Sequence, residues 1–97
     1  MVQFLLTAVE LDEAGALTDR YASLLVEWPV IPRVGETVWL NGEAYDVESI
    51  SHEMDLKPPQ ISVQFNCVED DMNIFLSNGW TSRTEPIDDK KIVWRDL

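Results

Sequence analysis

The stretch Thr37-Val38-Trp39-Leu40-Asn41-Gly42-Glu43-Ala44-Tyr45-Asp46-Val47 decides the fold that the sequence predicts. Asn41-Gly42 is the strongest hairpin signal in the chain, because a type I′ turn needs positive φ at both central positions. Ahead of the turn, Val38 and Leu40 fall on one face of a strand and Trp39 on the other. We therefore predict two antiparallel strands joined by a two-residue turn.

Strand signals recur on both sides of this hairpin, and apolar side chains alternate with other residues over residues 20 to 28 and 61 to 68. Helical periodicity is almost absent. In the strand that follows the turn, the apolar positions change parity between Val47 and Ile50. This change predicts a bulge or sharp bend near Glu48-Ser49. Five strands are predicted in the first part of the chain, over residues 2 to 11, 20 to 28, 36 to 40, 43 to 55 and 61 to 68.

Tight turns join these strands, so we expect an all-β fold, either a small SH3-like barrel or a strongly bent meander of five to six strands. Closure into a barrel would hide the edges that a flat sheet exposes. Residues 1 to 69 are the expected core. A C-terminal extension over residues 70 to 97 is expected to pack on the barrel or on a neighbouring protomer.

The extension begins with a predicted helical turn and ends with a predicted strand. Asp70 is expected to cap a short helix that reaches Leu76, and Asn78-Gly79 is expected to end it. A last strand is predicted over residues 91 to 95, where it is free to pair with the edge of a neighbouring protomer.

Composition excludes several classes of function. The chain has 97 residues, enough for one domain, and 18 acids against 7 bases give a formal net charge of −11. This charge argues against general nucleic-acid binding and against docking on anionic lipid. One cysteine and one histidine exclude an internal disulfide and a zinc site.

The first nine residues are apolar but lack the basic flank of a signal peptide. No run approaches the roughly 18 apolar residues of a membrane span. A lone thiol without a signal indicates an intracellular protein. We therefore expect a cytoplasmic location, in the host cell or the virion if the chain is phage-encoded, and no membrane partner.

One pattern around the hairpin resembles a known group of proteins. It runs Pro32-x-x-Gly35-Glu36-x-Val38-x-Leu40-x-Gly42-x-x-Tyr45-x-Val47. This pattern is similar to small uncharacterised phage and bacterial β-barrels of SH3-like type, and more weakly to phage head–tail joining proteins. The resemblance implies the fold and a phage or bacterial origin. Its positions serve turns and packing, so it implies no catalytic residue.

The only nucleophile–base pair available to the chain is Cys67 with His52. Folding the hairpin about Pro58-Pro59 is expected to make these two diagonal neighbours on a mostly apolar face. A buried thiol in apolar surroundings is inert, and no third group orients the histidine. We predict core packing, no catalytic residue, no cofactor and no enzymatic activity.

Paired acids in the extension are the one metal-binding possibility. Asp70-Asp71 and Asp88-Asp89 carry oxygen ligands that a divalent cation would accept. No spaced ligand loop accompanies them, so we interpret them as solvated loop acids and predict no metal.

A candidate ligand site combines aromatic, cationic and hydroxyl side chains. Such a set suits a nucleotide, because rings stack on the base and cations pair with phosphate. The alternative is that the rings of Trp80 and Trp94 are buried against the barrel or across an oligomer interface. The candidate residues are Trp80, Ser82, Arg83, Lys90, Trp94 and Arg95.

The functional expectation is a non-enzymatic binding protein that acts as an oligomeric assembly module, such as a virion joining subunit. A homo-oligomer is expected because the extension is too polar to fold alone. One alternative is a phage anti-defence sponge that sequesters a nucleotide immune signal. Another is an acidic DNA mimic that inhibits a nucleic-acid enzyme through the carboxylates of Glu43, Asp46, Glu48, Glu53 and Asp55.

Overall fold

The computed structural model describes residues 1–54 and 56–82, which form six strands and one helix. The all-β class, the five strands predicted in the first part of the chain and the short helix are therefore confirmed, whereas the two-residue strand at Thr81–Ser82 was not predicted. The elements are β1 Val2–Leu11, β2 Leu17–Trp28, β3 Thr37–Leu40, β4 Glu43–Glu53, β5 Gln60–Cys67, α1 Glu69–Ser77 and β6 Thr81–Ser82.

The central hairpin forms as its turn residues require. Asn41 and Gly42 have φ of 54° and 83°, the positive values of a type I′ turn, and they join β3 to β4. The register of β4 against β5 shifts between Val47 and Ser49, which is the bulge predicted from the change of parity.

The strands form one mixed sheet in the order β3-β4-β5-β1-β2-β6. β1 pairs with β5 in parallel, and the other neighbours are antiparallel. The sheet is not closed in the described residues, so the barrel closure considered from the sequence is not found. Nor is the order a simple meander, because the chain crosses from β2 at one side of the sheet to β3 at the other. Pro29 and Pro32 lie in this crossover, where they cannot donate to a ladder.

One face of the sheet, called the inner face here, carries the main core. The predicted alternation of β2 and β5 is confirmed, and α1 contributes two side chains to the same cluster. Ring contacts bind this core together, with Phe4 and Trp28 at 5.3 Å in an edge-to-face arrangement. The cluster contains Phe4, Leu6, Ala8, Ala22, Leu24, Val26, Trp28, Val38, Leu40, Tyr45, Val47, Val63, Phe65, Cys67, Met72, Phe75 and Trp80.

The start of α1 differs from the prediction, whereas its end agrees. Val68 is the N-cap and offers no side-chain hydrogen bond, so the capping role predicted for Asp70 is wrong. Asp70 lies inside the first turn with two other acids, where it complements the positive end of the helix dipole. The helix ends at Ser77 with Asn78 as its C-cap, and Gly79 follows with φ of 90°.

The opposite side of β1, β2 and β5 is called the outer face. Its central side chains are Leu5, Thr7, Val9, Ser23, Leu25 and Ser62, and all of them are buried. Thr7 Oγ1 lies 3.0 Å from Ser23 Oγ and 2.7 Å from Ser62 Oγ, so three hydroxyls form a connected row across three strands.

Candidate functional site

Trp80, the first member of the predicted nucleotide site, lies in the inner core. Its side chain is 5% exposed, and its ring stacks on Phe75 with centroids 4.4 Å apart. The ring also meets Phe65 edge-on at 6.0 Å. A nucleotide base cannot stack on this face of Trp80 unless it displaces Phe75. The position of the ring therefore agrees with the alternative that Trp80 is buried within the fold.

The other members of that predicted site are placed only in part. Ser82 is half-buried on β6, where it pairs with Ala22. Four members lie outside the described residues, as do the predicted strand over residues 91 to 95 and the acids at 55, 88 and 89. Those four members are Arg83, Lys90, Trp94 and Arg95.

His52 and Cys67 are not neighbours, and the register predicted for them is wrong. β4 and β5 pair His52 with Ile61, and not with a residue next to Cys67 as the predicted hairpin requires. Cys67 lies six residues after Ile61 on β5, so about 20 Å separates it from the residue that pairs with His52. The error arises because the pairing of Glu53 with Gln60 centres the turn two residues before Pro58-Pro59.

The Cys67 thiol is not activated in this environment. Burial, together with the nearby carboxylates of Asp71 and Glu10, raises its pKa from 9.0 to about 12. The thiolate, which is the reactive form, is therefore scarce at neutral pH.

Tyr45 fastens the hairpin to the helix. Its hydroxyl donates a hydrogen bond to Asp71 Oδ2 at 3.0 Å, and its ring lies 4.8 Å from that of Phe65. Burial and this bond raise the pKa of Tyr45, so it stays protonated as a donor. β4 is thereby held against α1, and β3 follows it through the two-residue turn.

A pocket of about 660 Å³ lies between the β1–β2 turn and the start of α1. Five of its lining residues are acids: Glu10, Asp12, Glu13, Glu69 and Asp70. The pocket therefore attracts cations, but its lining contains no histidine, cysteine or lysine that could carry chemistry.

Two of the pocket carboxylates already have structural partners. The Glu10 side chain, 7% exposed, has Oε2 3.1 Å from Arg20 Nη1, although the angle is poor for a hydrogen bond. Asp12 Oδ1 accepts hydrogen bonds from the backbone N–H groups of Ala14 and Ala16, which stabilises the turn between β1 and β2. Within residues 1–54 and 56–82, no group of three His, Cys, Asp or Glu side chains is arranged to hold a metal ion.

The most exposed aromatic side chain of the described residues lies elsewhere, on β3. Trp39 is 59% exposed, and among the described strands β3 forms one edge of the sheet, with β4 as its neighbour. In a hairpin closed by Leu40 and Glu43, alternate residues direct their backbone groups away from the partner strand. The N–H and C=O groups of Thr37 and Trp39 therefore point to the open side of the sheet.

Carboxylates surround this open side, which is called the β3 edge here and comprises residues 36 to 48. Asp46 shares the face of Trp39 and accepts a hydrogen bond from Thr37 Oγ1 at 2.9 Å. Four acids of the β3 edge are exposed, and residues 34 to 56 contain six acids but no lysine or arginine. The four exposed acids are Glu36, Glu43, Asp46 and Glu48.

In the sequence, Trp39 falls on the face opposite Val38 and Leu40, but it is not among the predicted site residues. The sequence does indicate an exposed aromatic side chain, because Trp39 lies on the face of its strand opposite the apolar residues Val38 and Leu40. The acids considered for DNA mimicry do not form a single row. The pairing places Glu43 beside Leu40 and Asp46 beside Thr37, on opposite faces of β4.

No protein family model matches the chain, and neither the curated proteins nor the solved structures contain a match. Among the described residues, no helix has the length and apolar character needed to cross a membrane.

Proposed function

We propose that this protein is a non-enzymatic binding module that recruits an extended, basic segment of a partner protein to the β3 edge. The observation that carries the proposal is Trp39, which is 59% exposed on an edge strand and shares its face with the Asp46 carboxylate. The proposal keeps the interaction module expected from the sequence and makes its partner a basic protein.

Backbone geometry supports strand addition at this edge. The outward groups of Thr37 and Trp39 offer a donor and an acceptor at alternate positions, which is the pattern that an added strand pairs with. Alternate side chains of the added segment would lie over Trp39 on one face and beside Val38 and Leu40 on the other. An apolar residue suits the second position, since Val38 and Leu40 belong to the inner core.

Charge supports a basic occupant. A lysine or arginine over the Trp39 ring gains a cation–π contact of about 0.5–1 kcal/mol at an exposed site. The same cation lies within reach of the Asp46 carboxylate on that face. A second copy of this chain is a poorer occupant, because each copy carries a formal charge of −11.

The test is a titration of the ¹⁵N-labelled full chain with a decapeptide that alternates lysine and valine. Two control peptides are used, one with glutamate in place of lysine and one with the lysines and valines in separate blocks. We expect the alternating peptide to shift the Thr37 and Trp39 amides and the Trp39 indole most, and the shifts to weaken with added salt.

Two results would contradict the proposal: no binding of the alternating peptide, or shifts centred on the acidic pocket at Glu10 and Asp12. Equal binding of the block peptide would show charge attraction without strand addition and would also contradict it. Sedimentation of the same sample without peptide tests the homo-oligomer predicted from the sequence.

A further inference from the structure

The Trp39 ring lies beside a carboxylate whose orientation is set by a hydrogen bond. Thr37 and Asp46 are partners in the β3–β4 pairing, and the Thr37 hydroxyl donates to Asp46 Oδ1 at 2.9 Å. Trp39 pairs with Ala44 and therefore lies one diagonal step from Asp46 on the same face. Diagonal neighbours of an antiparallel pair are about 7–8 Å apart, which is within reach of an aromatic or long side chain. The ring and the carboxylate therefore form two sides of one small site.

Both sides of this site are open to a ligand. The Trp39 side chain is 59% exposed, and Ala44, directly opposite it, has only a methyl group with which to cover the ring. Asp46 is also exposed, and its partner is a neutral hydroxyl that does not compensate the charge of a carboxylate. The other acid in the paired part of the hairpin, Glu43, lies opposite Leu40 and faces the other way. A cation over Trp39 therefore meets the Asp46 carboxylate first.

Arginine is the cationic side chain that can use the ring and the carboxylate together. Its guanidinium is planar, so it stacks flat on an indole ring while the N–H groups at its edge stay in the plane of the stack. Those N–H groups point sideways, where they can bind a carboxylate that lies beside the ring. The ammonium of lysine is a compact, strongly hydrated charge without a plane, so it gains less from the same arrangement. The positions of Trp39 and Asp46 therefore favour a guanidinium.

We infer that the β3 edge selects arginine over lysine at the position above Trp39, and that Thr37 positions Asp46 for this selection. The inference rests on the proposed function and narrows its basic partner to a segment with arginine at alternate positions. Without the Thr37 hydroxyl, the Asp46 carboxylate still attracts both cations but is no longer held beside the ring. Loss of that hydroxyl therefore weakens the selection more than the attraction.

The test compares the alternating lysine–valine decapeptide with the same peptide in which arginine replaces lysine, by fluorescence anisotropy on the full chain. We expect the wild type to bind the arginine peptide about tenfold more tightly, the gain from one hydrogen bond between charged groups. Asp46→Asn should bind the two peptides with nearly equal Kd, because a neutral amide cannot form the ion pair. Thr37→Val should lower the ratio of the two Kd values, and the conservative Thr37→Ser should keep it.

The ratio of two Kd values on one protein does not depend on the fraction of that protein that is folded, so a merely structural effect of Thr37→Val would not change it. Equal Kd values of the two peptides for the wild type would overturn the inference and leave the proposed function standing. Binding of neither peptide would overturn both. An unchanged ratio in Asp46→Asn or in Thr37→Val would also overturn the inference, since arginine would then be preferred without a positioned carboxylate.

Discussion

The chain places tryptophans in two contrasting regions, the aromatic cluster beneath α1 and the open edge of β3. Trp80 is 5% exposed and stacks on Phe75, whereas Trp39 is 59% exposed on a strand with one partner. The first ring gains its stabilisation from neighbours within the fold. The Trp39 ring leaves most of its apolar surface in water, so a binding partner that covers the ring gains binding free energy.

The difference also separates stability from recognition. Tyr45 joins the two regions, because its ring packs on Phe65 and its hydroxyl binds Asp71 of α1. The aromatic cluster therefore holds the hairpin in position, and the hairpin presents Trp39. Substitutions in the cluster should change the free energy of unfolding, and substitutions at the β3 edge should change binding.

The largest effect is expected for Trp80→Ala. Truncation of a buried tryptophan that stacks on Phe75 should lower the free energy of unfolding by about 3–5 kcal/mol. Urea denaturation followed by far-ultraviolet circular dichroism measures the change. Trp80→Phe is the matched control and should retain most of the stability. A loss below about 1 kcal/mol for Trp80→Ala would show that the ring is not part of the core.

A smaller loss is expected for Thr7→Val on the outer face. Valine keeps the shape of threonine but removes the hydroxyl that joins Ser23 to Ser62. Two buried hydroxyls then lose a partner, which should cost about 1–3 kcal/mol in the same denaturation experiment. Thr37→Val is the control, since the Thr37 hydroxyl is exposed and forms its hydrogen bond to Asp46 at the surface. Equal effects of the two variants would contradict the buried hydroxyl row.

Alkaline pH should weaken the fold through the aromatic cluster. Burial raises the pKa of Cys67 from 9.0 to about 12, and burial also raises the pKa of Tyr45. Above pH 9 the unfolded chain therefore loses these protons before the folded chain does, and the free energy of unfolding falls as pH rises towards 12. Urea denaturation at pH 7 to 11 should show this fall, with a smaller slope for Cys67→Ala. The same slope in both proteins would exclude Cys67 as a cause.

The smallest effect on stability is expected for Trp39→Ala. The ring is mostly in water, so the free energy of unfolding should change by less than about 0.5 kcal/mol. Urea denaturation of Trp39→Ala beside Trp80→Ala compares the two regions directly. A loss above about 2 kcal/mol would mean that Trp39 has a structural role that its exposure does not indicate.

Local signals predicted most of the fold. The Asn41-Gly42 turn, the alternation of β2 and β5 and the parity change in β4 each depend on neighbouring residues, and each is confirmed. The parallel pairing of β1 with β5 joins distant parts of the chain, and no short-range signal encodes it. For that reason the order of the strands and the open sheet were not predicted.

The candidate site was predicted less well than the fold. Sequence favoured Trp80 because hydroxyl and cationic residues follow it, but exposure depends on what packs above a ring. The β4–β5 register shows the same limit, since a small error in the turn separated His52 from Cys67. Trp39 became a candidate only when β3 proved to be an edge.

The most direct test of the central claim is the affinity of the alternating lysine–valine peptide for the wild type and for Trp39→Ala, measured by fluorescence anisotropy. We expect a Kd at least about 30-fold higher for Trp39→Ala, as for a hot-spot residue worth about 2 kcal/mol. It also predicts unchanged unfolding, which shows that the variant is folded. An unchanged Kd in the folded variant would contradict the assignment of the β3 edge as the binding surface.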